Sequence, residues 1–266
     1  MPRRARSRKE TLSKMKLGTW DVLLLAGVSL QAVAMAYAYQ PVWKALIWNL
    51  PVPFTLASLS LGRDIDATNV GGLILLFVYA HGVRMLHVNL KVPIVPAIAV
   101  AAFVYVVIGA TLAPLVPTGG WAFWCTTAAG LAVAWVAYRL TPRVREAGHR
   151  SPLPVYLKVP AIVAVILLLL ALKSVLGGFM TFFPMAGVVA CYEARHSLWA
   201  ICRQLPVIVF TFVPFMAVVR LTQNRLGLGM SLLLGWAVLL LILVPVTRHM
   251  CAKAAAPDHQ AQPDGV

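Results

Sequence analysis

The chain has 266 residues, 61% of them hydrophobic and only 12% charged, with a mean hydropathy of +0.83, against roughly 45–50% apolar and about 25% charged in soluble domains. A 28.8 kDa soluble globule with so little polar surface could not cover itself, which excludes soluble enzymes and nucleic-acid-binding domains and predicts an integral membrane protein. The formal charge of +15 carried by 23 Lys and Arg against 8 Asp and Glu looks like a nucleic-acid signal only until the charges are placed along the chain.

Residues 1–19 form a basic tail with Arg3, Arg4, Arg6, Arg8, Lys9, Lys14 and Lys16. No aromatic side chain interleaves with these cations to stack on bases. The tail is therefore read as cytoplasmic and attracted to anionic lipid headgroups, with no nucleic-acid partner. Trp20–Ala38 is the first apolar run of bilayer length, about 20 residues. Its core from Val22 to Val33 and the following Ala34-Met35-Ala36 have the features of a secretion signal. The long basic region and the many membrane segments behind it favour an uncleaved anchor.

Val42–Leu61 is interrupted by Lys44, Asn49, Pro51 and Pro53, the composition of a broken or re-entrant helix. An acidic turn with Asp64 and Asp66 follows. Val70–Leu90 carries His81, Arg84 and His87, whereas Val92–Pro114 and Trp121–Leu140 are uninterrupted. The loop 141–158, with Arg143, Arg145, Arg150 and Lys158, is predicted to be cytoplasmic. Val159–Leu176 is again apolar, Gly177–Trp199 is interrupted by Glu193, Arg195 and His196, and Leu205–Leu221 and Leu226–Thr247 close a membrane domain over 20–247. Residues 248–266 are predicted to be a disordered tail.

The fold class is all-α, a polytopic membrane helix bundle of eight or nine segments. An outer-membrane barrel is excluded because its strands are ~10-residue stretches of alternating polarity. If all of the first five segments cross, the basic loop 141–158 lies opposite the basic tail, against the positive-inside rule. A re-entrant Val42–Leu61 removes that conflict: it places the tail, the Arg84–Lys91 turn, the loop, Arg195 with Arg203 and the C-terminus inside, and the acidic turn outside. The expected location is a bacterial-type inner membrane with a cytoplasmic N-terminus. Cys125, Cys191, Cys202 and Cys251 form no Cys-x-x-Cys pair and no disulfide framework.

A faint internal repeat accompanies this pattern. VGGLILLFVYAHGVRMLHVNLKVP precedes one apolar run and LGGFMTFFPMAGVVACYEARHSLWAICRQLPV another. Superposing Gly71-Gly72 on Gly177-Gly178 aligns His87 with Glu193 and defines units 42–140 and 159–247, each of four segments, a parallel repeat provided every segment crosses, which a re-entrant Val42–Leu61 would not. The run VWKALIWNLPVPFTLASLSL and, in the second half, ALKSVLGGFMTFFPMAGVV resemble the GlpM-like small inner-membrane proteins over about forty residues each. The resemblance implies a tandem duplication behind a leading helix and brings no chemistry, cofactor or substrate with it.

Ionisable residues inside membrane segments mark the candidate site, because each costs about 2.5–3.5 kcal/mol at the bilayer centre on insertion scales. His81, Arg84 and His87 recur at intervals of three, along one helix face, where they could line a polar path or simply reach water and headgroups at a helix end. Glu193, Arg195 and His196 form the second group. Glu193 and His196 have the Glu-x-x-His spacing of di-iron bundles, but a second such motif and further carboxylates are missing, so no metal is expected. Glu193 is better placed to pair with Arg195, Arg203 or, across the halves, Arg84 or His87. The paired glycines permit close helix packing or loosen the helix into a broken one, for which Gly177-Gly178 with Pro184 beyond and Lys173 before is the better candidate. No catalytic or cofactor motif is present, and no enzyme is predicted. The reading is a secondary transporter of a small anionic or amphipathic solute; the competing one is a non-transporting membrane subunit, and a homo-oligomer is compatible with either.

Overall fold

A computed structural model of the chain describes residues 18–37, 47, 49–141 and 155–255. The basic tail, most of the 141–158 loop and residues 256–266 lie outside the described residues. Eight α-helices carry the described chain: α1 (Thr19–Tyr37), α2 (Val52–Leu61), α3 (Ala67–Arg84), α4 (Ile94–Leu112), α5 (Gly120–Leu140), α6 (Val155–Leu176), α7 (Met185–Glu193) and α8 (Leu198–Ala255). A π turn, Met85–Asn89, extends α3, and a 3₁₀ segment, Gly177–Phe182, follows α6. Among the described residues there is no strand.

Four stretches are long and apolar enough to cross a membrane: Ala67–Asn89, Ile94–Leu112, Gly120–Leu140 and Leu198–Pro245. A bent pair, Leu170–Phe182 with Gly187–Glu193, makes a fifth when counted as one span, with 58° between its two pieces. The protein is thus a helical membrane protein. Its outward faces agree: Phe103 is 68% and Leu241 75% exposed, tolerable where hydrocarbon rather than water wets them.

Local chemistry sets the ends of these helices. Asp66 caps α3 by accepting from the Thr68 N–H at 2.8 Å, while Asn69 Oδ1 accepts from the Asp66 N–H at 2.9 Å, so both open ends of the first turn are satisfied. α2 stops at Gly62 and α6 at Gly177, whose φ values of 62° and 53° suit a residue without Cβ. α8 is two arms broken at Gly227 (φ 74°, ψ 164°). Gly235 lies against Phe215 and Val219 on the other arm, so the arms fold back as a hairpin.

Polar contacts then fix how the helices alternate. The Asp21 carboxylate, at the start of α1, accepts from the Ser60 hydroxyl at the end of α2 and from Lys173 Nζ near the end of α6. Ile65, just before α3, bonds to Arg220 and Gln223 near the hairpin tip of α8. Those elements share what we call the Asp21 end. Arg84, closing α3, stacks on Trp199 at the start of α8, which marks the opposite Arg84 end. From the sequence, Val42–Leu61 is expected to be broken or re-entrant with the acidic turn opposite the start of α1; α2 is a ten-residue helix, too short to cross by itself, and it ends with Ser60 at the Asp21 carboxylate, so Asp64 and Asp66 instead share the end at which α1 begins. Residues 42–46 and 48 of that segment lie outside the described residues. The tail expected from residue 248 is also shorter, because α8 continues to Ala255.

Glycines govern the packing between the halves. A Cβ at Gly71 would come 2.8 Å from Phe179 Cε1, one at Gly72 3.0 Å from Phe182 Cβ and one at Gly109 3.1 Å from Leu176. The smooth groove so formed receives Phe179, which is 1% exposed, the small-residue packing usual in membranes. Tyr105 Oη, itself fully buried, donates to the Phe179 carbonyl at 2.8 Å. Tyr105→Phe should therefore cost about 1 kcal/mol, the usual net worth of one hydrogen bond. Thermal unfolding in detergent checks this, and a midpoint unchanged from the wild type would remove the hydrogen bond from the account.

Candidate functional site

The seven ionisable residues singled out by sequence separate into two groups. Lys173 stands at the Asp21 end, 2.9 and 3.0 Å from the two Asp21 carboxylate oxygens, with its side chain 34% exposed against 6% for Asp21. It is committed to an ion pair rather than offered to a solute. The other six lie at the Arg84 end. His81 is half-buried and stacks on Phe77 at 6.4 Å between ring centroids. The Arg84 guanidinium lies 4.0 Å from the centroid of the Trp199 ring, a desolvated cation–π contact that holds α3 to α8.

His87 departs from the predicted row. It falls in the π turn, where the rotation per residue is smaller than in an α-helix, and its Nδ1 lies 2.8 Å from the Val92 carbonyl. Arg195 lies over Tyr192, 5.3 Å from the ring centroid, and donates to the Tyr192 carbonyl at 3.4 Å. Glu193 ends α7 half-buried, and His196 is exposed in the turn that follows. These six lie at one end of the bundle. No group of three or more His, Cys, Asp or Glu able to hold a metal occurs among the described residues.

A cavity of about 70 Å³ lies deeper, between the ends, and none of the seven lines it. Two interrupted helices meet there. From one side come Leu50, Pro53 and Phe54, where the chain breaks at Asn49–Pro51 before α2; from the other come Phe182, Pro184 and Gly187, where it breaks between the 3₁₀ segment and α7. Met185 N donates to the Phe183 carbonyl at 2.6 Å across the second break. Pro51 and Pro184 stand at the cap positions, and neither helix start has a side-chain cap hydrogen bond.

The cavity's polar residues are Gln31 and Thr181. The Thr181 hydroxyl donates to the Gly178 carbonyl at 2.7 Å and accepts from Asn69 Nδ2 at 3.2 Å, so it is occupied by the helix break itself. Gln31 Nε2 donates to the carbonyls of Ile47 at 2.6 Å and Leu50 at 3.4 Å, which ties α1 to the first interruption. Its Oε1 is buried with no hydrogen-bond partner among the described residues.

Gln31 was missed because it is uncharged, yet it is the one amide in the run from Trp20 to Ala38. A lone Gln in such a run is a signal that a search limited to ionisable residues passes over. The interrupted segments themselves were visible as Pro51 and Pro53 and as Gly177-Gly178 with Pro184. Compared with known proteins, the chain matches no protein-family model, no curated protein and no solved structure.

Proposed function

We propose that this integral membrane protein is a secondary transporter whose solute, small and anionic or amphipathic, binds in the cavity between the two interrupted helices. The observation that carries this reading is that both breaks, at Asn49–Pro51 and at Phe183–Pro184, open onto one cavity that Gln31 helps to line. Non-helical backbone at membrane depth is tolerated where it lines such a space, and discontinuous helices at the interface of two repeats are the usual setting of a transporter site.

The order of the elements supports two parallel units, 42–140 and 159–247. In each, one segment runs to the Asp21 end, the next returns, and two more follow the same alternation: α2, α3, α4 and α5, then α6, the stretch 177–193 and the two arms of α8. The central members of the two units, α3 and the 3₁₀ segment, pack on each other through Gly71, Gly72 and Gly178. With α1 in front, this gives nine segments. We place the protein in a bacterial-type inner membrane with its N-terminus cytoplasmic. His81 and Arg84 fit an entrance at the Arg84 end that draws anions toward the cavity.

Reconstituted into liposomes, the purified protein should take up at least one member of a panel of small organic anions and amphipathic solutes in a saturable manner. Leu76→Trp, which fills the cavity from α3, should reduce that uptake at least tenfold while the protein remains monodisperse. His81→Ala with Arg84→Ala should lower the apparent affinity for anions. Absence of uptake for every class, or uptake equal in Leu76→Trp and wild type, would sink the transporter reading and leave the non-transporting subunit.

A further inference from the structure

Charge is shared unequally between the two ends of the bundle. Among the residues whose side chains are described, the Arg84 end carries Arg84, Lys91, Arg139, Arg195 and Arg203 against one acid, Glu193, whereas the Asp21 end sets Arg63, Lys173, Arg220 and Arg225 against Asp21, Asp64 and Asp66. Arg139 belongs to the first group by its place on α5. That helix leaves from the Asp21 end, where α4 finishes with Gly109 against Leu176, and its Gly130 lies against Val70 and Ile74 of α3. Nine residues further on, about 14 Å at 1.5 Å per residue, Arg139 stands level with the last turn of α3.

Three of the guanidinium groups at this end lie on aromatic faces: Arg84 is 4.0 Å from the Trp199 ring centroid, Arg139 4.7 Å from that of Trp135 and Arg195 5.3 Å from that of Tyr192. Stacking engages the flat face of the cation. Its N–H edge, the part that reads a phosphate bidentately, is not consumed by the stack. Arg139 and Lys91 are in addition exposed on the perimeter of the bundle, beside α5 and before α4.

Their surroundings select the kind of anion. Next to Arg139 stand Leu140, 76% exposed, and the stacked rings of Trp135 and Tyr138, each about half exposed. Lys91 follows Leu90, 61% exposed, and precedes Val95, 60% exposed. A soluble anion would balance the two cations and leave this apolar surface in water, at the full cost of its hydration. An amphiphile meets both needs, with hydrocarbon against the leucines and rings and an anion against Arg139 and Lys91.

We propose that the Arg84 end binds anionic phospholipid, with headgroup phosphates on Arg139 and Lys91 and acyl chains along the exposed faces of α4 and α5. A zwitterionic lipid offers the same phosphate together with its own ammonium, so its attraction to these cations is weaker. The surface is separate from the cavity and from the basic tail, and the proposal does not depend on transport.

The full chain is purified in a neutral detergent and its bound lipid is counted by native mass spectrometry against added dioleoyl phosphatidylglycerol or dioleoyl phosphatidylcholine. Phosphatidylglycerol should bind at least tenfold more tightly. Arg139→Gln with Lys91→Gln should weaken it at least tenfold, because one Lys or Arg near an anionic surface contributes roughly a factor of five. Phosphatidylcholine binding should stay unchanged in that variant, which also reports an intact fold. Arg63→Gln with Arg225→Gln removes the same charge from the exposed surface of the Asp21 end and should change phosphatidylglycerol binding less than twofold. Glycerol 1-phosphate at millimolar concentration, a phosphate without chains, should not displace the lipid. Equal binding of the two lipids, or equal effects of the two double variants, would reduce the preference to net charge and overturn the proposal; displacement by glycerol 1-phosphate would overturn it in favour of a soluble phosphate ligand.

Discussion

Replacing Gly178 with alanine should destabilise the protein by about 3 kcal/mol, at the upper end of what overpacking one methyl costs. The added Cβ would overlap Thr68 Oγ1 and come 2.9 Å from both the backbone N and the Oδ1 of Asn69. None of these atoms can yield cheaply. Thr68 and Asn69 are held by the cap of α3, and Asn69 Nδ2 is bonded to Thr181 at 3.2 Å. Gly229→Ala is the matched control: a Cβ there meets nothing within 4 Å, and alanine is favoured over glycine in a helix by about 1 kcal/mol. Unfolding in mixed micelles would measure both, and a difference between the two variants below about 1 kcal/mol would mean that the helices part easily at this contact.

The ion pair at the same end gives the second large effect. Removing one partner of a buried pair typically costs about 3–5 kcal/mol, because a charge is left without compensation. The two single variants should differ. Lys173→Met strands Asp21, whose side chain is 6% exposed, whereas Asp21→Asn leaves Lys173, at 34%, able to reach water. Because Ser60 and the Gly18 N–H still donate to the carboxylate after Lys173→Met, the expected losses fall below that range, about 2 kcal/mol for Lys173→Met and about 1 kcal/mol for Asp21→Asn. The double variant, which buries no unpaired charge, should lose less than Lys173→Met alone. Thermal unfolding of all three checks this, and simple additivity would show that the pair is screened by solvent and contributes little.

Much of the bundle was legible because membrane segments declare themselves by length. The apolar runs Val92–Pro114 and Trp121–Leu140 became α4 (Ile94–Leu112) and α5 (Gly120–Leu140), with ends set by Pro93 and the glycines at 119 and 120. The start of α8 was placed too late, since Arg203 and Gln204 dilute the hydropathy of a turn that is nonetheless helical. The two glycine pairs were given one choice between packing and breakage; the first serves packing alone, whereas the second both breaks the helix at Gly177 and packs closely at Gly178. Gly71-Gly72 stays inside a continuous helix because Phe179 and Phe182 press on it, whereas Gly177 breaks α6 through its positive φ.

The site was less legible for a physical reason. Charge is conspicuous in an apolar sequence, so Lys173 drew attention, yet its partner Asp21 lies 152 residues away and only the fold brings them together. Gln31, which helps to line the cavity and ties α1 to the first interruption, carries no charge, and its contacts depend on the fold. The placing of the acidic turn opposite the start of α1 came from charge bookkeeping over loops. It could not foresee that Ser60 at the end of α2 would meet Asp21 at the start of α1.

The clamp on Ile65 ties the first half of the chain to the second. Its N–H donates to Gln223 Oε1 at 2.9 Å, and its carbonyl accepts from Gln223 Nε2 at 3.2 Å and Arg220 Nη1 at 3.1 Å. The bond from Asn69 to Thr181 and the wedged Gly178 join the same two parts of the chain at that end. The backbone of Ile65 thus has both its donor and its acceptor spent on α8, so a change at Gln223 or Arg220 is felt at the start of α3 without any residue of α3 being altered.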